Sequence, residues 1–255
     1  MTTVNINRNR SLMALQELVE QNIDNKLSYM PESFNKQQTE ALELFKQRVF
    51  LEKTIDESIS FNQNLKFENT NKNLHLVKSA EELIEVFKLR SDVFKDIQYQ
   101  SQFPDTIEGL NFDAYDSTSA ILFYGVEKQI TGSVRVIFDT EEKLPSEKNF
   151  PFDNIRKEYN ILGELSRLVV KNNQKKGLNQ EFKYLFGGIH NVFINNDIDI
   201  LLSCIKVEHL KLYNKFGGTT RIDGTDNFGS LHVPIHIMLW DPSQVSSFFK
   251  KAFLN

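Results

Sequence analysis

The sequence contains one cysteine, Cys204, among its 255 residues. A single thiol excludes an intramolecular disulfide, and this scarcity fits a reducing compartment. Cys204 lies in an apolar run and is expected to be a core residue rather than a nucleophile. His232 and His236 are four residues apart in a predicted strand, but the sequence places no third ligand beside them. We therefore expect neither a disulfide framework nor a bound metal.

Long apolar runs and an excess of positive charge are also missing. The first residues, MTTVNINRNRSLMALQELVEQ, lack the uninterrupted apolar core of a secretory signal, and no run is long enough to span a membrane. The 34 acidic residues outnumber the 30 basic ones, which gives a formal net charge of -4. This balance offers no general attraction to nucleic acid or to anionic membranes. We expect a soluble cytoplasmic protein with no integral membrane span and no nucleic-acid partner.

Two amphipathic helices are predicted near the start of the chain. Apolar residues recur at helical spacing over residues 11 to 24 and 36 to 59. The Asn-rich segment FNQNLKFENTNKN that follows is typical of a linker. The sequence thus predicts a helical extension with its linker over residues 1–73 and a second domain over residues 74–255.

Strands and helices alternate from the predicted boundary onward, which indicates a mixed α+β domain. A short strand is predicted at 74 to 77. Ser79 and Glu82 then form a capping box, which predicts a helix from Ala80 to about Lys95.

Apolar runs predict the central strands of this domain. Those at 120 to 126 and 132 to 138 indicate a hairpin, and those at 161 to 170 and 197 to 205 indicate buried strands. The segment between the hairpin and the third run is predicted to be a flexible excursion. A helix is expected from about Gln180, another in HLKLYNKFGG, and a last clear strand in VPIHIMLWDP.

The strand segment GELSRLVV places charged residues inside an apolar run. Burying Glu164 and Arg167 is costly unless the two are paired or used. Alternation along a strand predicts Glu164 and Ser166 on one face and Leu165 and Arg167 on the other. Two interpretations stay open, a structural ion pair and a site in which Glu164 is the base for an incoming amine.

The loop NFDAYD brings two carboxylates together before the first hairpin strand. Asp113 and Asp116 could hold a substrate ammonium or organise Arg135 and Arg167 through charge-assisted hydrogen bonds. A solvated acidic turn is the alternative.

Two further segments could serve a thioester substrate. The loop KNNQKKGLN precedes a helix, so that Gln174, Lys175, Lys176 and Gly177 could bind a phosphate with their backbone amides and charges, or form only a solvated basic loop. Tyr213 could protonate a departing thiolate, or it could be a packing residue of its amphipathic helix.

Together these segments resemble the GNAT superfamily of acyltransferases, and within it the branch of acyl-homoserine-lactone (autoinducer) synthases and N-acyl amino acid synthases. The resemblance covers about residues 74 to 240 and combines four short motifs in the expected order. They are LRSDVF with Arg90 and Phe94, FDAYD with Asp113 and Asp116, GSVRVI with Arg135, and ELSR with Glu164 and Arg167. The resemblance implies the GNAT fold, an α/β/α sandwich around a mixed, mostly antiparallel twisted sheet.

The resemblance also implies roles for these residues. Glu164 matches the usual general base or water-positioning group, while the residues of the other three motifs, with Arg167, match the acceptor site. The implied acyl donor is an acyl-carrier protein or coenzyme A, whose pantetheine enters between splayed central strands with its phosphate near residues 171 to 179. No permanently bound cofactor is implied. The N-terminal helices could cover the acyl tunnel or form a homodimer contact.

The predicted function is N-acyl transfer from such a thioester onto the amine of an amino acid or related small molecule. An acyl-homoserine-lactone synthase is one alternative. Asn111 stands where many of those synthases have a glutamate, and the N-terminal extension has no counterpart in the compact ones, so the N-acyl amino acid synthases are favoured. A non-catalytic GNAT-like binding or regulatory domain is the alternative from another class.

Overall fold

Helix α1 spans Glu32–Asn64 and is longer at both ends than the predicted helix. The computed structural model describes residues 32–69, 71–126, 129–140, 142–171 and 180–254, so the predicted helix at 11 to 24 lies outside the described residues. Contacts divide the chain into two compact units at Ile55 and Asp56, and α1 therefore begins in one unit and ends in the other. The predicted domain boundary near Asn73 stays a prediction.

The described part of the first unit is the beginning of α1. Its solvent-exposed side chains form ion pairs at helical spacing, with 2.8 Å between Arg48 Nε and Glu52 Oε1 and 3.4 Å between Lys46 Nζ and Glu43 Oε1. Such pairs stabilise a helix only modestly, by about 0.2–0.5 kcal/mol each.

The second unit is built on one sheet of seven strands, in the order β1-β2-β3-β4-β5-β7-β6. All neighbouring pairs are antiparallel except β4 and β5, which are parallel. The mixed sheet with its flanking helices confirms the predicted α+β class. The strands are β1 Leu74–Leu76, β2 Ser119–Val126, β3 Gln129–Phe138, β4 Leu162–Val170, β5 Ile200–Lys206, β6 Thr219–Phe228 and β7 Val233–Trp240.

Five α-helices follow α1 among the described residues. The predicted capping box at the start of α2 is confirmed, because Glu82 N donates to Ser79 Oγ and Ser79 N donates to Glu82 Oε2. The helices are α2 Ala80–Asp96, α3 Ile155–Glu158, α4 Gln180–Asn195, α5 Leu210–Tyr213 and α6 Ser247–Phe253. No helix in the described ranges combines the length and the apolar character that a membrane crossing requires.

Helix α5 is much shorter than the predicted helix HLKLYNKFGG. Gly217 and Gly218 follow it with φ angles of 78° and 67°, in the left-handed region that glycine adopts most readily. These two residues turn the chain toward β6. The helix has already ended at Tyr213, four residues before Gly217.

Apolar side chains cover the two faces of the sheet differently. On one face, α4 and α6 pack an aromatic cluster that includes Phe186, Phe216, Trp240 and Phe249. On the other face, the connection between β3 and β4 contributes a second cluster. Burial of the apolar surface of these two clusters is the main favourable contribution to the stability of the unit.

The connection between β3 and β4 is not the flexible excursion that the sequence predicted. It holds the 3-10 helix Pro145–Lys148 and the short helix α3. Leu144 and Phe152 are 1% and 3% exposed, because they pack against the central strands. The prediction failed because the polar residues of this segment conceal its few apolar anchors.

Strand β6 and the position of His232 also differ from the predictions. β6 is a mostly exposed edge strand with two register shifts against β7, and the sequence analysis did not identify it. His232 has a φ angle of 50° and precedes β7, so the prediction that it shares a strand with His236 is wrong.

Two asparagines dock the segment after α1 onto the end of α4. Asn191 accepts from Glu68 N and donates to Glu68 O, while Asn196 does the same for Lys66. The Asn-rich segment was predicted as a linker, but its first residues are helical and the next are held through their main chain.

Asn62 extends the hydrogen bonding of the sheet where β1 ends. Its side chain accepts from Ile121 N at 2.9 Å and donates to Ser119 O at 2.8 Å, and it is fully buried. Val77 N donates to Ile121 O at 2.9 Å on the same edge of β2. The Asn62 amide therefore takes the place that a further peptide group of β1 would have in the sheet. Without it, two buried backbone groups of β2 would be unpaired.

Candidate active site

The loop FDAYD fixes its two carboxylates by capping a short helix. Asp113 Oδ1 accepts from Tyr115 N at 3.0 Å at the start of the 3-10 helix Ala114–Thr118, and Asp116 Oδ2 accepts from Asp113 N at 2.9 Å. This reciprocal arrangement is the one expected of a capping box. It orients both carboxylates before β2 begins.

Three arginines from three elements converge on these carboxylates. Arg90 Nη1 of α2 lies 2.8 Å from Asp116 Oδ1, and Arg167 Nη2 of β4 lies 2.9 Å from Asp113 Oδ2. Arg135 of β3 contacts both aspartates, with 3.1 Å between Arg135 Nη1 and Asp116 Oδ2. The structure thus joins five of the predicted charged residues, those assigned to the acceptor site, into one network.

The charges of this network are not balanced. Three arginines face two aspartates, so the cluster carries one surplus positive charge. Burial alone would raise the pKa of Asp113, but the charges of Arg135 and Arg167 hold it well below its ordinary value. Burial, with the neighbouring charge of Arg135, lowers the pKa of Arg167 to about 10. Burial lowers the pKa of Arg90 as well, but Arg90 is fully buried, while Arg167 at 14% exposed is the most accessible arginine of the group.

A β-bulge in β4 directs Arg167 into the network. Arg135 is paired with Ser166, Ser133 is paired with Val169, and the register shifts between these pairs. Arg167 lies in the shift with a φ angle of 52°, which is uncommon for a residue with a side chain. The predicted strict alternation is therefore wrong at this position, and Arg167 lies on the face of Ser166.

Two aromatic rings lie against the guanidinium of Arg167. Its guanidinium carbon lies 4.4 Å from the centre of the Phe103 ring and 5.9 Å from that of Phe94. The two rings pack on each other with centres 4.8 Å apart. Phe94 was a predicted site residue. Phe103 was not, because its loop carries no motif that distinguishes it.

Glu164 lies on the same face of the sheet as Arg135 and is 4% exposed. Its Oε2 accepts from Ser146 N at 3.0 Å and from Ser146 Oγ at 2.7 Å. Burial raises the pKa of Glu164, while the hydrogen bonds from Ser146 and the charge of Arg135 oppose the rise. A carboxylate in this state is a stronger base than an exposed one. The sequence analysis missed Ser146, which lies in the connection predicted to be flexible.

The sheet opens beside Glu164. The parallel strands β4 and β5 are paired only from Leu162 with Ile200 to Leu165 with Ser203. Beyond these pairs both strands continue without pairing to each other. The opening begins at Ser166, two residues after Glu164, where the predicted pantetheine channel between splayed strands would lie.

Tyr213 and Cys204 lie outside the charged network. The Tyr213 ring contacts Phe186 and Phe216 within the aromatic cluster, which is the packing alternative for this residue. Burial raises the pKa of the Tyr213 hydroxyl above its ordinary value. Cys204 packs in the second cluster, and burial, aided by the charge of Glu164, raises the pKa of its thiol to about 12.

The predicted phosphate-binding residues Gln174, Lys175, Lys176 and Gly177 lie outside the described residues. Within the part of the chain that is described, no group of three or more His, Cys, Asp or Glu side chains is arranged to hold a metal ion.

The fold is that of the GNAT acyltransferases. Three solved structures have this fold, and their low sequence identity to this chain supports a shared fold only. FeeM, an N-acyl amino acid synthase from uncultured soil microbes, is 14% identical with a TM-score of 0.52 over 71% of this chain and 94% of its own. The acyl-homoserine-lactone synthase LasI is 17% identical with a TM-score of 0.52, over 72% and 95% of the two chains. The coenzyme-A-dependent acyl-homoserine-lactone synthase BjaI is 14% identical with a TM-score of 0.55, over 71% and 87%.

The family model described as N-acyl amino acid synthase FeeM matches residues 85–241, which is more than half of the chain. The chain belongs to this family and is an N-acyltransferase. A search of curated proteins found no match.

Proposed function

We propose that this enzyme transfers a fatty acyl group from a phosphopantetheine thioester to the α-amine of an amino acid, with Glu164 as the general base. Family membership supports the reaction class. The observation that carries the choice of acceptor is the surplus positive charge of the network, which a substrate can reach at Arg167, since an amino acid brings the carboxylate that neutralises it.

The acceptor would be held by its two charged groups. Arg167 Nε is buried and has no hydrogen-bond partner among the described residues, so the guanidinium retains a donor for the acceptor carboxylate. Asp113 contacts the same guanidinium, and its side chain is 30% exposed. It is therefore the carboxylate of the network that a substrate ammonium can reach. Arg90, Arg135 and Asp116, which are at most 1% exposed, would fix these two groups in place.

The reaction then needs a base for the amine. Glu164 would take a proton from the amine nitrogen, directly or through water, as that nitrogen attacks the thioester carbonyl. The C–N bond forms, the negative charge moves to the carbonyl oxygen, and backbone amides of β4 beside the opening would stabilise it. Collapse of this intermediate breaks the C–S bond and releases a thiolate.

The thiolate needs a proton, and Tyr213 is the proposed donor. Its hydroxyl carries a proton at neutral pH, and burial, which raises its pKa, makes it a weaker acid than an exposed tyrosine. The opening between β4 and β5 would admit the pantetheine arm, and apolar side chains lining it would hold the acyl chain. The loop with Gln174, Lys175, Lys176 and Gly177 is proposed to bind the donor phosphate.

The finer assignments are part of the same proposal. The donor is an acyl-carrier protein or coenzyme A, and basic residues near the loop would meet an acidic carrier. The extension over residues 1–73, a homodimer contact and a cytoplasmic location stay predictions.

Mass spectrometry of lipid extracts tests the proposal in cells that express the wild-type chain or Glu164→Gln. The variant keeps the size of the side chain and removes the base, so N-acyl amino acids should appear with the wild type and fall about 100-fold or more with the variant. Glu85→Gln is the matched control, because Glu85 is exposed and its partner among the described residues is Lys88 on the same helix.

Purified enzyme with acyl-carrier-protein and coenzyme A thioesters then identifies the donor. Lactone products would establish the autoinducer synthase instead. Full activity of Glu164→Gln would exclude the base, and absence of thioester consumption by the wild type with either donor would favour a binding domain.

A further inference from the structure

Ser146 makes two contacts with one oxygen of Glu164. Both its backbone N–H and its hydroxyl donate to Oε2, at 3.0 and 2.7 Å, and Ser146 is 3% exposed. A carboxylate oxygen that accepts two donors from one residue is fixed in position and in rotamer. In the proposed reaction the other carboxylate oxygen would take the proton.

The 3-10 helix that carries Ser146 is itself held by an arginine clamp. Arg156 of α3 contacts Glu147 through Nε at 2.7 Å and Nη2 at 2.6 Å, and Asp139 through Nη1 at 2.7 Å and Nη2 at 3.0 Å. Glu147 Oε2 also accepts from Leu144 N at 2.8 Å. Asp139 follows β3 directly, so the clamp ties the helix of Ser146 to the end of a central strand.

We propose that Ser146 is a positioning residue for the Glu164 carboxylate and that the Arg156 clamp, with Glu147 and Asp139, holds Ser146 in place. This inference rests on the proposed function, in which Glu164 is the base. It assigns a role in the reaction to the connection between β3 and β4, which contributes no residue to the charged network.

The charged groups around Glu164 predict how its pKa changes when the Ser146 hydroxyl is removed. The titratable or charged groups acting on it are Arg135 from β3, Glu147 from the 3-10 helix and Cys204 from β5. Arg135 favours the ionised carboxylate, and Glu147 opposes it. The donors of Ser146 favour the ionised form, so deleting the hydroxyl raises the pKa of Glu164. Since a base acts only when deprotonated, activity then appears at higher pH.

The test is the pH dependence of kcat in Ser146→Ala, Ser146→Thr and Arg156→Lys. We expect the acidic limb of the profile to move upward by about one pH unit in Ser146→Ala, because a hydrogen bond to a charged group has about that effect. Ser146→Thr retains the hydroxyl and should restore the limb. Arg156→Lys keeps the charge but cannot contact both carboxylates as a fork, so a smaller shift in the same direction is expected.

Ser243→Ala is the matched control. Ser243 also follows a proline in a 3-10 helix, and its N–H and hydroxyl both donate to one carboxylate oxygen, Asp241 Oδ1, at 2.9 and 2.6 Å. Ser243 is exposed and Asp241 is half-buried, and the pair lies outside the site. Its loss should leave the acidic limb unchanged.

An infrared titration of the protonated carboxyl band that Glu164→Gln removes reports the same pKa without turnover. An upward shift of this titration in Ser146→Ala supports the inference. An unmoved limb and an unmoved titration in Ser146→Ala, with or without a lower Tm, would overturn it and leave a purely structural serine. If Glu164→Gln itself retains turnover and the acidic limb, the base assignment fails, and this inference fails with it.

Discussion

The guanidinium of Arg167 lies 4.4 Å above the ring of Phe103, while its Nη2 binds Asp113 at 2.9 Å. The aromatic face and the carboxylate hold the planar group on two sides and leave Nε without a partner in the described part of the chain. A guanidinium can lie over a ring and bind a carboxylate with a planar set of donors at the same time, which the point charge of a lysine ammonium does less well. The identity of the residue as arginine, and not only its charge, is therefore part of the site.

Arg167→Lys should separate acceptor binding from donor binding. Lysine keeps the positive charge but loses the fork and the stacking surface, so we expect KM for the amino acid to rise about tenfold or more with little change in KM for the thioester. Steady-state kinetics with each substrate varied in turn checks this. Arg221→Lys, at an exposed position of β6, is the control. Equal increases for both substrates would contradict the acceptor role.

Asn62→Ala should destabilise the protein far more than Asn64→Ala. The first substitution leaves Ile121 N and Ser119 O buried without partners, and each such group costs about 1–3 kcal/mol. Asn64 is exposed and, within the described ranges, its side chain bonds to Ser60 O, so its loss should cost about 0.5 kcal/mol or less. Urea unfolding of both variants measures the difference. Similar free energies of unfolding would show that β2 finds other partners.

Glu164→Gln should be more stable than the wild type at pH 8. Because the folded-state pKa of Glu164 is raised above its ordinary value, its contribution to stability is present below that value and is lost as the pH rises through the folded pKa. Glutamine does not ionise and still accepts from Ser146, so it avoids this loss. Tm measured from pH 4 to pH 8 should show an advantage for the variant that disappears at the acid end. A Tm difference independent of pH would contradict the raised pKa.

Cys204 should react slowly with iodoacetamide in the folded protein. Burial and the charge of Glu164 raise the pKa of the thiol to about 12, so the thiolate is scarce at pH 8. Labelling followed by mass spectrometry, with the urea-unfolded chain as control, gives a direct comparison because the chain has one cysteine. Equal rates in the two states would mean that the thiol is accessible and ionised.

The parts of the fold that were predictable from sequence are those with a strong local signal. Strands β2 to β5 have long apolar runs, α2 has its capping box, and the charged network has residues that are unusual inside such runs. Strand β6 gave no such signal because most of its side chains are exposed and two register shifts interrupt its pairing.

Two features of the site depend on tertiary structure alone. The bulge at Arg167 places two consecutive residues of β4 on one face, which no periodicity argument can anticipate for a residue other than glycine. Ser146 reaches Glu164 across 18 residues of chain, through a connection held by a few buried side chains and one arginine. Its position follows from how the segment packs and not from its composition.

Asn191 and Asn196 recognise the segment after α1 only through the peptide groups of Glu68 and Lys66. The side chains at 66 and 68 have no part in these bonds. We therefore expect the two asparagines to be invariant among close relatives, while the residues at 66 and 68 vary. In a comparison of sequences, the docked segment would then look like a variable linker although it is held in place.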